Sequence, residues 1–436
     1  MTELAAVSER SQPTAGVVDR KRKLLSGGVL SLLDQAVVSG TNFVTTVIIG
    51  RAAGETELGL YSLGFTVVVL LLGAQEALIT LPYTVFGQRI ESSQKAQLKG
   101  TTLVHQAGFT LLMSLLLLVS GAVTALSMDD NGFSRVLLIL SATSAFSSFR
   151  ELARRIAFAD FQLGRAITID LIVAALQILG LLALVRMGVV TAVTAHGWIG
   201  LACGIATLAV VLRHWPNMKF RSDFSMHVLA KHWRFGRWLL MGQMVGISNG
   251  YLMHWLLAIM LGAAEAGVFA ACLTLVYFTN PLVIGIGNYL APTYSDTAAT
   301  TGHRSLRTPV LMVTLFLACC LSVVFVVVLF YGDELLQLLF GKEFAGYGHV
   351  TSVVAFSVLL RAVGTPPENA LRAMNRTSAT FISQAVGFVV SLLLALLAIP
   401  SYTVVGAAYC MLIGSLIGNI VRWIQFWVYS AKDASE

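Results

Sequence analysis

Gly54-Glu-Thr-Glu57-Leu-Gly59-Leu-Tyr61 and Gly262-Ala-Ala-Glu265-Ala-Gly267-Val-Phe269 are two copies of one pattern, G-x-x-E-x-G-aliphatic-aromatic, 208 residues apart by subtraction of their first positions (262 − 54). Each copy separates two long apolar stretches, and a proline follows near the far end of the next stretch, at Pro82 and Pro292. Such a repeat divides the chain into halves. Glycine permits a tight turn, the glutamate is suited to cap the next helix start, and the aromatic residue is expected at a membrane interface. A substrate-binding role for the motif is the alternative reading.

The surroundings of the motif are equally apolar. Hydrophobic residues make up 56% of the 436 residues and charged residues 12%, about half the charge of an ordinary soluble domain. Runs such as 107–126, 308–331 and 381–400 are long enough to cross about 30 Å of hydrocarbon, and without water only helices satisfy their backbone there. The fold class is therefore an all-α polytopic membrane protein of about 12 transmembrane helices. Expected spans are 25–49, 58–86, 100–126, 136–153, 166–187, 190–212, 237–260, 264–292, 308–331, 348–371, 380–399 and 403–427.

Those spans imply a tail at 1–24, a first six-helix lobe at 25–212, a linker at 213–236, a second lobe at 237–427 and a tail at 428–436. Six helices per lobe give both lobes one orientation, the parallel-repeat arrangement of transporters. Of the 29 Lys and Arg, Arg51, Arg135, Arg186 and Lys342 fall on one side, Arg361 lies mid-span and 24 remain on the other (29 − 4 − 1). The positive-inside rule makes that side, with both termini, cytoplasmic. This distribution also accounts for the net charge of +7 without nucleic acid. The first 24 residues lack the apolar run of a cleavable signal peptide. The five cysteines, all inside expected spans, show no metal or disulfide spacing. No cofactor or metal is expected.

At this point the sequence resembles a known family. Ser39-Gly-Thr-Asn-Phe43, Gly50-Arg51-Ala-Ala-Gly54 and Glu57-Leu-Gly59-Leu-Tyr61 are similar to the opening of the polysaccharide-transport flippases. Arg150-Glu-Leu-Ala-Arg154-Arg155 and Gly332-Asp-Glu-Leu-Leu with Phe340-Gly-Lys-Glu-Phe also fit. In layout the resemblance extends to the superfamily of multidrug and toxin extrusion transporters and the peptidoglycan-precursor flippase. It implies translocation of a lipid-linked oligosaccharide, carried on a polyprenyl diphosphate, from the cytoplasmic to the outer leaflet of the bacterial plasma membrane by alternating access. Membrane lipids, a polysaccharide polymerase and other assembly proteins are the implied partners. Proton- or sodium-coupled multidrug or metabolite extrusion is the alternative. A membrane-embedded glycan polymerase or ligase is a more remote one, because the outer loops are short and hold no nucleophile–base arrangement.

A charge inside a span costs about 2.5–3.5 kcal/mol on insertion scales, so each needs a partner or a task. Asp34 and Glu76 fall at similar depth in the first two spans and are candidates for ion coupling, or for a structural hydrogen bond. Arg361 precedes Gly364-Thr-Pro366-Pro367, a sequence expected to break the helix. An arginine beside a broken helix suits a lipid pyrophosphate or an acidic sugar; the alternative pairs it with Glu76. Arg150, Arg154 and Arg155 are candidates to receive an anionic headgroup, or are topology anchors. Arg51 lines the outer mouth or snorkels to the surface. Asn280-Pro281 predicts a kink. Isolated His105, His196 and His254 read as packing residues, and Asp333–Phe344 as a short amphipathic stretch along the outer surface.

Overall fold

The computed structural model describes residues 14–87, 92–127, 131–160, 162–214 and 222–431. Among them there are helices and turns and no strands. In chain order the helices are α1 Thr14–Gln75, a π-helical turn Glu76–Thr80, α2 Leu81–Gly87, α3 Ser92–Ser127, α4 Asn131–Ala159, α5 Leu163–Arg186 and α6 Ala192–His214. The second half holds α7 Ser222–Met260, α8 Ala263–Tyr277, α9 Asn280–Thr301, α10 Arg307–Phe340, α11 Gly348–Val363, α12 Thr365–Ala373 and α13 Thr377–Ala431.

Seven of these helical stretches are long and apolar enough to cross a membrane, or eight with α8 and α9 taken as one bent span. Two of them, α1 and α13, are each two passes joined at a reversal, at Gly54 and at Thr403. With the shorter apolar α6 and the more polar α7, which carries Arg234 and Arg237, all twelve expected spans fall on helical segments, three of them across a bend or break: 58–86, 264–292 and 348–371. α3 and α10 turn apolar side chains outward, Leu115 and Phe330 among them, as lipid-facing helices do.

The two motifs make the closest contact between the halves. Gly54 (φ 81°) and Gly262 (φ 115°) both adopt left-handed conformations at the reversal, where a Cβ would be strained. Beyond them the helices cross almost backbone to backbone. A Cβ on Gly59 would overlap the carbonyl oxygen of Ala263, and one on Gly267 would overlap that of Glu55. The offset of 208 relates these contacts (55 + 208 = 263; 59 + 208 = 267), so the seam is reciprocal about a pseudo-twofold axis. Around it Ile49, Leu58, Leu257, Phe269 and Phe340 from both halves form one core. Towards the ends bearing the chain termini the core divides. Leu290, Val310 and Phe426 pack within the second half, Ile169, Val173 and Ala206 within the first. Tyr83, Leu98 and Val228 seat the start of α7 on the first half.

Several local expectations are corrected. Residues 222–236, expected as linker, are the opening turns of α7, because a helix continues past the bilayer while its backbone remains paired. Glu57 caps not its own helix but α6, accepting the Ala192 amide at 2.6 Å. Tyr61 is 4% exposed rather than interfacial and stacks on His196. Asp333–Phe340 is the last part of α10, with Phe340 and Phe344 fully buried, rather than a surface stretch. The π-turn has a cause in Pro82: lacking an N–H it cannot continue the α ladder, and Leu81 N–H donates five residues back to Glu76. The backbone shifted in this way meets α7 at Gly236, where a Cβ would lie 2.5 Å from the Ala77 carbonyl.

Because each seam glycine faces a backbone carbonyl that cannot rotate away, Gly59→Ala and Gly267→Ala should each destabilise by about 1–3 kcal/mol. The double variant should cost less than the sum, since the sites share one contact. Gly250→Ala, with no atom within 4 Å of the added Cβ, should leave the melting temperature in detergent unchanged or raised.

Candidate functional site

Four charges crowd consecutive turns of α4: Arg150, Glu151, Arg154 and Arg155. Their i, i+1, i+4, i+5 spacing places them where α1, α5 and the π-turn converge. Arg150 pairs with Asp170 of α5, and Arg154 bridges Asp34 of α1 and, at 2.8 Å, Asp170. Arg155 holds Glu151 at 2.7 Å and Glu76 at 2.9 Å. Glu76 also accepts from Gln243 of α7 at 3.1 Å, a polar link between the halves. Three guanidiniums thus meet four carboxylates, and Asp34 and Asp170 are each 2% exposed.

This changes what the sequence suggested for these residues. Arg150, Arg154 and Arg155 are not a free basic cluster; each is already neutralised, which removes the electrostatic reason for them to receive a headgroup. Asp34 and Glu76 do not form a pair of their own but are held by different α4 arginines. Arg51 is exposed and donates to the Leu338 carbonyl near the end of α10.

Arg361 has the opposite surroundings. No carboxylate lies within 4 Å of it among the described residues, which rules out Glu76 as its partner, and its nearest polar neighbour is the Tyr277 hydroxyl at 3.5 Å. It stands in a cavity of about 510 Å³ enclosed by α7, α8, α9, α11, α12 and α13, with Glu368, Gln384, Asn419 and Arg422 in the wall. Arg422 and Glu368 pair at 3.2 Å. The cavity wall therefore holds two guanidiniums and one carboxylate.

The Gly364-Thr-Pro366-Pro367 segment bends without breaking. Gly364 stays in the right-handed helical region; its amide donates to Leu360, and Glu368 N–H donates to Gly364. Only the two prolines lose donors, and α13 adds bonds to carbonyls that precede them. Asn419 donates to the Leu360 carbonyl at 2.8 Å, and Arg422 lies 3.5 Å from the Gly364 carbonyl. Gly364 is required here, because a Cβ would run into Asn419. At Pro281 the chain does turn sharply: α8 and α9 meet at 56° across Phe278 and Thr279.

Arg422 and Glu368 were missed in reading the sequence. Arg422 carried a visible signal, a charge inside an expected span, the same argument that singled out Arg361. Glu368 sits near the end of its span, where a charge raises no alarm.

A family model described as "Polysaccharide biosynthesis protein" matches residues 86–347, more than half of the chain. No curated protein sequence matches it. Among solved structures it is similar to an inward-facing multidrug resistance MATE family transporter of the MOP superfamily, with a TM-score of 0.75, 11% identity, and 90% and 94% of the two chains covered. The lipid II flippase MurJ in an inward closed conformation gives 0.70 at 12% identity, covering 93% and 90%. A MOP superfamily transporter from Pyrococcus furiosus gives 0.67 at 12%, covering 94% and 96%. These likenesses show a transporter fold in a multi-pass membrane protein; all three are transporters or flippases, not enzymes.

Removing Arg154 strands the buried Asp34, whereas Asp170 keeps Arg150. Arg154→Gln should destabilise by about 3–5 kcal/mol, and adding Asp34→Asn should restore part of that loss, both read by thermal unfolding of the purified protein. Arg51→Ala, at an exposed site, should change the melting temperature little.

Proposed function

The chain belongs to the polysaccharide biosynthesis protein family, and from that premise we propose that it is a flippase for a lipid-linked oligosaccharide carried on a polyprenyl diphosphate. It moves this lipid from the cytoplasmic to the outer leaflet of the bacterial plasma membrane by alternating access. The observation that carries the reading is the contrast between the two charge clusters. Arg150, Arg154 and Arg155 of α4 are each neutralised, while Arg361 faces a cavity whose one carboxylate, Glu368, is paired with other arginines. A guanidinium in that position favours an anionic headgroup and disfavours the organic cations that a drug exporter would bind.

The positions of core and cavity suit such a cycle. The halves share their core around the repeat motifs and divide towards the ends bearing the termini. The positive-inside rule assigns those ends to the cytoplasm, so on the side where the lipid-linked glycan is made the lobes have separate cores and meet through α7. The prenyl chain remains in the bilayer while the glycan crosses between the lobes. A polysaccharide polymerase on the outer side is the partner that would consume the product. Asp34 keeps one buried carboxylate oxygen without a hydrogen-bond donor among the described residues. That oxygen is where a coupling proton would add.

In cells lacking this protein, lipid-linked oligosaccharide should accumulate in the inner leaflet, read as resistance to a membrane-impermeant glycan-modifying enzyme. Re-expression should reverse this. Arg361→Ala should cut export about tenfold or more, the value of a lost charge-assisted hydrogen bond, and Arg51→Ala should retain it. Normal lipid-linked glycan with raised sensitivity to cationic compounds would instead favour extrusion.

A further inference from the structure

The charge in the second half does not balance. Around the cavity Arg372 and Arg422 share a single carboxylate, Glu368, which is fully engaged, and Arg361 has none within 4 Å among the described residues. Glu368 Oε1 accepts from Arg372 at 2.5 Å and from Gln384 at 3.1 Å, and its Oε2 pairs with Arg422 at 3.2 Å. Arg372 is 55% exposed in its side chain, whereas Arg422 is 10% exposed. The contacts of Arg422 are long, at 3.2 Å to Glu368 and 3.5 Å to the Gly364 carbonyl, and its buried Nε has no partner among the described residues. A guanidinium so placed is under-supplied with acceptors.

Geometry brings Arg422 to the same cavity as Arg361. The two extend from α13 and α11 on either side of Gly364, and both lie in its wall. Arg361 and Glu368 are seven residues apart, two helical turns, so they share a face of the bent α11–α12 span. We infer that Arg361 and Arg422 together form a two-guanidinium subsite for a diphosphate group, and that Glu368 is a resident counter-ion which the ligand displaces from Arg422. The exchange leaves no charge stranded. Glu368 keeps Arg372 and Gln384 when it releases Arg422, and the incoming anion supplies the acceptors that both cavity arginines lack. Two guanidiniums also select for a doubly charged group over a singly charged one, because a monoanion satisfies only one of them. This inference rests on the reading of the cavity as the anion-binding site, but its test does not depend on export.

Equilibrium binding of inorganic pyrophosphate to the purified, monodisperse protein in detergent tests it, with Glu368→Gln as the informative variant. Removing a resident competitor should tighten pyrophosphate binding about tenfold, whereas loss of a merely structural ion pair would weaken it or leave it unchanged. Arg422→Gln and Arg361→Gln should each weaken binding at least tenfold. Arg422→Lys, which retains the charge, should lie between and covers the case in which Arg422→Gln does not fold. Farnesyl diphosphate binding more tightly than pyrophosphate assigns the subsite to a lipid diphosphate; equal binding assigns it to a free anion. Unchanged or weaker binding in Glu368→Gln, or unchanged binding in both Arg422 variants, would overturn the proposal. The expected binding pattern without any defect in glycan export would leave the subsite standing and remove the flippase reading.

Discussion

A charged side chain surrounded by hydrocarbon must find a counter-charge or a solvated cavity, and the two halves of this protein meet that demand differently. The first half meets it internally. α4 carries three arginines and a glutamate within two turns, and α1, α5 and the π-turn each contribute one carboxylate to them. The result bolts four helical segments together at one level, and through Gln243 it reaches α7. The second half leaves cations in excess, and there a cavity is retained around them. One half is therefore cross-linked by its charges, and the other keeps its charges around a cavity.

The backbone of the second half is shaped by the same demand. Two prolines bend the α11–α12 span, and a bend within the bilayer must be held by neighbouring helices. Asn419 and Arg422 of α13 reach across to the bend. These bonds fix the stretch that carries Arg361 and Glu368, so packing of α13 positions charges on a different helix. A substitution at Asn419 would be felt at Arg361 without touching it.

Much of the fold was legible in the sequence because it depends on quantities local to the chain. Apolar length marks a span, and a repeated glycine marks a reversal, as Gly54 and Gly262 do. Charge pairing was not legible, because it depends on which helices are neighbours. Asp170 drew no notice until α5 was found beside α4, and with it the apparent basic cluster of Arg150, Arg154 and Arg155 became a neutralised one. The burial of Tyr61 was hidden for the same reason: an aromatic beside a turn suits a membrane interface unless another helix covers it, as α6 does with His196. Arg361 was noticed as a charge inside an expected span, and Arg422 could have been found by the same criterion.

The reciprocal seam at Gly59 and Gly267 has the form of an isologous interface, in which each copy of a surface contacts its own counterpart. It is the contact that two separate six-helix chains would make as a symmetric dimer. In such a dimer any substitution at the seam would appear twice, once on each side of the axis. Within a single chain the two glycines are independent loci. The halves thus match where backbone meets backbone while their interiors differ, and the unequal charge of the two lobes is an asymmetry that no homodimer could encode.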